Sequence, residues 1–139
     1  MSARFELFDH TADVGVRVLA PTRAELVPPA TEGLYTVIGA LATFDDGEPW
    51  SFEAHGDEPA LMLRDYLAEL LHLFDTRRTR ITDIVVAAFE ADHLVLAGQL
   101  RRIDPNRSHL EREVKAVTYH ELSLVEQDGA FEATYIVDI

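Results

Sequence analysis

Apolar residues recur along this chain with two different periods. Near the start Val14, Val16 and Val18 alternate with Gly15 and Arg17, the period of a half-buried strand. The spacing predicts a strand over 14–20, preceded by a strand over 4–8 and a short polar corner. Thr22 and Glu25 then have capping-box spacing, a helix-start signal. Pro28 and Pro29 interrupt that segment. A proline inside a helix loses a hydrogen bond and costs about 3 kcal/mol, so a kink, or a fresh helix start near Pro28, is expected. Beyond it Ala30, Leu34, Val37, Ile38 and Leu41 form a one-sided apolar stripe. Residues 44–49, with Asp45, Asp46 and Gly47, read as a loop, and 50–54 as a weak strand.

The clearest helix runs over about 58–75, where Leu63, Leu67, Leu70, Leu71 and Phe74 fall on one face. Arg77, Arg78 and Arg80 follow, suiting the negative end of its dipole. Residues 84–89 and 94–100 read as a hairpin around Ala91 and Asp92, and 104–108 as a loop. The last strands are predicted over 113–125 and 131–137, joined at Gln127, Asp128 and Gly129. Asp-Gly between alternating runs is a strong hairpin signal. Two main helices and about seven strands fit a single α+β domain over 1–139, a two-layer sandwich with a mixed, largely antiparallel sheet.

Composition narrows the function. The chain has 139 residues, of which 47% are hydrophobic and 27% charged. A chain of that length buries roughly two thirds of its unfolded surface and needs no cross-links to hold a core. It has no cysteine, which excludes a thiol nucleophile and thiolate metal sites. The net charge is −13, from 12 basic and 25 acidic residues. Such an excess repels phosphate backbones and suits a cation or a basic protein partner, so no direct nucleic-acid ligand is expected. Lys115 is the only lysine. No stretch reaches the roughly 20 apolar residues of a membrane span, and the N-terminus lacks a signal peptide's apolar region. The protein is expected to be soluble, cytoplasmic and free of membrane.

There is no glycine-rich phosphate loop, no G-x-S-x-G and no H-E-x-x-H. The histidines at 10, 55, 72, 93, 109 and 120 do not pair at helical metal-ligand spacing, so zinc is unsupported. Three segments could carry chemistry. Asp9 to Gly15 lies between two strands, with Asp13 at the mouth of the second. As a plain turn it needs no function, because Asp and Thr bond their own backbone. In 115–120, an unbroken strand would put Lys115, Val117 and Tyr119 on one face. Ala116, Thr118 and His120 would then share the other face with Val114, Leu122 and Leu124. That makes His120 a core histidine, and keeps it apart from Lys115 unless a bulge intervenes. The last segment is Val137-Asp138-Ile139, where Asp138 and the Ile139 α-carboxylate are adjacent acids. Its bland reading is a frayed end.

HTADVG at 10–15, KAVTYH at 115–120, the DYLAELLHLFD helix at 65–75 and the Asp-Ile ending together resemble the archease family. The resemblance covers nearly the whole chain. It implies an α+β domain of strand-helix-strand-strand type with a helix-containing insertion. It also implies a helper, not an enzyme, with no catalytic residues of its own. The implied partner is the GTP-dependent, manganese-using RNA ligase of tRNA splicing or RNA repair, whose guanylylation and multiple turnover the helper promotes. The family's metal site would fall on Asp13, Asp138 and the Ile139 carboxylate. These are hard oxygen donors, which select Ca²⁺, Mg²⁺ or Mn²⁺ rather than zinc; Ca²⁺ is the expected ion, with Mg²⁺ or Mn²⁺ open. Three carboxylates drawn together repel, and a divalent cation relieves this, so metal binding and folding of the last strand should be coupled. His10, Lys115 and His120 are candidates for supporting or partner contacts. Pro28-Pro29 and the Arg-rich 101–111 segment depart from the family pattern. Two other functions fit the same residues. One is a metal-dependent phosphoester hydrolase with His120 as base; the other is a chaperone-like binding module.

Overall fold

The computed structural model describes residues 2–10 and 12–139, with the His10 side chain also outside the described part. Strand β1 (Arg4–His10) and β2 (Asp13–Ala20) form the first hairpin. The predicted helix start after Thr22 is real but short. Thr22 Oγ1 accepts the Glu25 backbone N–H at 3.1 Å and donates to Glu25 Oε1 at 2.9 Å, capping a 3-10 turn at Ala24–Leu26. Helix α1 (Val27–Ile38) begins directly after it, with both prolines in its first turn. There the missing N–H groups would have had no helical partner, and φ is already set. The pair therefore starts the helix rather than kinking it.

The chain then runs through β3 (Gly39–Ala40), β4 (Thr43–His55), α2 (Pro59–Arg77), β5 (Thr79–Phe89) and β6 (His93–Ile103). It ends with β7 (His109–Leu110), β8 (Ala116–Val117), β9 (Ser123–Gln127) and β10 (Ala130–Asp138). One sheet has the order β1-β2-β10-β8, with β9 also paired to β10; a second has the order β4-β6-β5; β3 and β7 form a small bridge. Every pairing among the described residues is antiparallel.

The α+β class with two main helices and antiparallel sheets is as expected, and the helices pack against strands of both larger sheets. Helix α1 is tied to one sheet by Tyr135, whose hydroxyl donates to the Ala30 carbonyl at 2.6 Å. It is tied to the other by Tyr35, whose hydroxyl accepts the Ile81 N–H at 3.0 Å. Helix α2 packs Tyr66 against Trp50 and Phe52 of β4, while Arg64 reaches the Val117 carbonyl of β8 at 3.0 Å. Burial pushes the Tyr35 phenol up to about 12, and Tyr66 and Tyr135 are raised for the same reason. All three therefore stay neutral and able to hydrogen-bond inside the core.

Two predicted segments differ. Residues 44–49 are not a loop but part of β4, with a register shift between Thr43 and Gly47. Their polar side chains sit on an exposed strand of the sheet edge, where Arg102 covers the Phe44 ring at 4.7 Å and pairs with Asp46 at 3.7 Å. The single strand expected over 113–125 is broken into β8 and β9. Val114 and Val117 are both buried, which strand parity forbids in one unbroken run. The chain turns at 118–121, with Glu121 at φ 52.

Candidate functional site

The hydrophobic pattern fixes where the acids go. Val14, Val16 and Val18 of β2 face the core, opposite Val137, Tyr135 and Ala133 of β10. A slip of one residue would turn all of these outward, so the register is strongly specified. In that register Asp13 stands directly opposite Asp138, on the other face of the sheet. Directly opposed residues hold their Cβ atoms about 4.5–5.5 Å apart on one face. The two ends of the chain thus bring a pair of half-buried carboxylates together.

The neighbouring row on that face is Phe8, Gly15 and Ile136. A methyl group built on Gly15 would overlap the Phe8 ring, so the glycine lets that ring lie flat on the sheet. Ile136 is fully buried, although it faces away from the helices. The carboxylate pair therefore borders an apolar patch rather than open water.

The C-terminal end is not frayed. Asp138 is paired to β2 on one side and to β8 on the other, and its carbonyl accepts the Lys115 N–H at 2.7 Å. Ile139 packs its half-buried side chain against the core. Lys115 is exposed beside this end. The backbone of His10 is opposite Asp13; its side chain, like Thr11, lies outside the described residues. His120 is exposed, not a core residue. The turn accounts for the difference: Thr118 Oγ1 accepts the His120 N–H at 3.2 Å and donates to the Ile136 carbonyl at 2.9 Å, which ends the strand alternation. Sequence reasoning missed Arg64, which stacks on Tyr119 of this turn at 4.1 Å. One arginine on a helix carries no sequence signal of such a role.

The donors present suit a hard cation. Two aspartates on one face can share a single ion bonded at about 2.3–2.6 Å, with an α-carboxylate and waters filling the other positions. Among the described residues, no three His, Cys, Asp or Glu side chains converge as a metal-holding group. A site here consequently needs donors beyond the two aspartate side chains. Two depressions of about 360 and 370 Å³ lie elsewhere, one around Phe74 and Leu110, the other along Ser51 and Ala97. Neither has a wall from the aspartate pair. Among the described residues no helix is long and apolar enough to cross a membrane.

Fold and site together define an acidic α+β domain whose two ends close on a pair of opposed aspartates. The Archease protein family (MTH1598/TM1083) matches residues 5–139, and the chain belongs to that family. It is 33% identical to the protein archease of Methanopyrus kandleri, with 97% of this chain and 99% of the relative covered. It is 29% identical to that of Pyrococcus furiosus, covering 98% and 99%. The solution structure of Methanobacterium thermoautotrophicum protein 1598 superposes with a TM-score of 0.72 at 27% identity, covering 97% of this chain and 98% of that one. A crystal structure from Thermotoga maritima, described as an archease and possible chaperone, has a TM-score of 0.64 at 20% identity over 96% of each chain. At that identity the last likeness speaks for the fold.

Proposed function

We propose that this protein is a metal-binding accessory factor, not an enzyme, that activates a GTP-dependent RNA ligase of tRNA splicing or RNA repair in the cytoplasm. It promotes the ligase's guanylylation and its passage through many turnovers. The observation that supports this reading most is the pairing of Asp13 with Asp138 across β2 and β10 in a chain of this family. Asp13, Asp138 and the Ile139 carboxylate would hold the ion, Ca²⁺ before Mg²⁺ or Mn²⁺, with His10, Lys115 and His120 around it. A bound divalent ion supplies fixed positive charge where the carboxylates otherwise repel. The chain's own part is to orient the two aspartates by strand register, to shield them with Phe8 and Ile136, and to present the surface beside them. A net charge of −13 fits a factor that touches the ligase while the ligase grips the RNA.

The test adds the protein, at a small fraction of the ligase concentration, to ligase, GTP, Mn²⁺ and broken RNA. RNA joining should then run well past one turnover per ligase, while the protein alone joins nothing. Unchanged turnover across a full titration would overturn the proposal.

A further inference from the structure

The β4-β6-β5 sheet brings together two histidines that lie far apart in the sequence. The register of β4 with β6 sets His55 directly opposite His93, and directly opposed side chains share one face of a sheet. Their ring centroids are 6.2 Å apart, with the planes 24° from parallel. His93 Nδ1 bonds Asp92 Oδ1 at 2.7 Å. An ionised carboxylate only accepts, so Nδ1 carries the proton and Nε2 keeps its lone pair. The same bond holds the Asp92 carboxyl below its ordinary 3.8. His55 Nε2 lies 3.2 Å from Glu53 Oε2, which in the same way leaves the lone pair on Nδ1. Neither His55 Nδ1 nor His93 Nε2 makes a hydrogen bond among the described residues.

A ring held by a carboxylate at one nitrogen and bare at the other is the form in which histidine ligates a metal. With zinc–nitrogen bonds of about 2.0–2.1 Å, two rings on one ion have centroids about 5–6.5 Å apart, and the observed spacing falls in that range. The two connections that flank the pair, 56–58 and 90–92, carry Asp57, Glu58, Glu90 and Asp92 and no basic residue, so their field concentrates cations. We propose that His55 and His93 together bind one divalent cation of the zinc class, which neutral imidazole suits. Asp92 and Glu53 are positioning residues that set the tautomer of each ring. They are not ligands, because no three His, Cys, Asp or Glu side chains converge among the described residues. The ion therefore has two protein nitrogens and water in its other positions, an open site rather than a closed structural one. It joins the last residue of β4 to the first of β6. Asp13 and Asp138 belong to the other large sheet, and their oxygen donors suit a harder ion, so the two sites are separate. Helical spacing of the histidines gave no hint of the pair, because strand pairing alone creates it.

The experiment titrates Zn²⁺ into the full chain, with affinity read by calorimetry and the histidine rings followed by NMR. Of the six histidines, the rings of His55 and His93 should shift first and together. Asp92→Asn should weaken Zn²⁺ binding about tenfold, and His55→Ala or His93→Ala should weaken it further. His72→Ala and His109→Ala remove exposed histidines outside the pair and should bind as wild type does. Asp138→Asn should also keep the Zn²⁺ affinity, and excess Ca²⁺ should not displace the ion. Each variant is melted in a chelator to check its fold. Where an alanine variant melts low, His55→Gln or His93→Gln takes its place, keeping a polar side chain without a ring nitrogen. Zn²⁺ affinity unchanged in both His55 and His93 variants would overturn the site. So would equal weakening by His72→Ala, which would mean an adventitious ion only, or rings of His55 and His93 that move no earlier than the other histidines. Loss of Zn²⁺ binding in Asp138→Asn would place the ion at the aspartates instead. None of these outcomes touches ligase stimulation, so the activator reading stands or falls separately.

Discussion

At the scale of single residues the aspartates are opposed like charges, and such pairs destabilise by about 0.2–1 kcal/mol. Asp138→Asn keeps the shape and removes one charge. In a chelator its melting temperature should lie about 1–4 °C above wild type. With Ca²⁺ present the order should reverse, because wild type gains an ion that the variant holds poorly. Paired thermal melts check this, and a variant below wild type in both conditions would make Asp138 a structural residue. Asp104 is an acid of another kind. It is 8% exposed, accepts Arg107 Nε at 2.8 Å and the Asn106 N–H at 3.0 Å, and is held below its ordinary 3.8 chiefly by Arg107. A lowered folded value means that this stability is fully present above the ordinary value and is lost as pH falls through the folded one. Asp104→Asn should therefore destabilise the protein at pH 7 and flatten the loss of stability below about pH 4, with Ca²⁺ affinity unchanged. Urea unfolding across pH reads both effects.

At the scale of elements, what was legible was local. The 58–75 helix carries its own apolar face, and α2 spans Pro59–Arg77. The Asp128-Gly129 turn carries its own conformation, with φ of 54° and 75°, and Gln127 pairs with Ala130 as a two-residue hairpin demands. Gly129→Ala places a Cβ in the left-handed region and should cost about 1–2 kcal/mol, read as a lower denaturant midpoint at constant slope. What was not legible was set by distant partners. Residues 113–125 alternate well enough to suggest one strand. The break at 118–121 comes with Thr118 Oγ1, which donates to the Ile136 carbonyl of β10 and accepts the His120 N–H, and the distant half of that arrangement is announced by no local pattern. The acids of 44–49 suggested a loop because an edge strand tolerates the same polar residues. The candidate site divides in the same way. The parity of Val14, Val16 and Val18 shows which face Asp13 takes, but only the pairing of β2 with β10 shows that Asp138 is opposite.

At the scale of the whole molecule that pairing joins the two ends of the fold. β2 and β10 are central neighbours in one sheet, so the aspartate pair exists only when the long closure between them is made. An ion held there binds the native state and not the unfolded chain. At a concentration 100 times its dissociation constant it adds about 2.7 kcal/mol, or a melting shift of about 5–10 °C for a domain of this size. Screening of the −13 net charge by any salt raises stability too. The shift must therefore be measured in about 0.15 M NaCl, where the Debye length is about 8 Å, with Mg²⁺ as a second ion. The ligand role proposed for Ile139 then has a direct test. Adding Gly-Ser after Ile139 turns its carboxylate into an amide without touching either aspartate. The extended chain should melt with wild type in a chelator, gain much less from Ca²⁺, and stimulate the ligase more weakly. Equal Ca²⁺ affinity in both chains would take Ile139 out of the ligand set and leave the ion to the two aspartates.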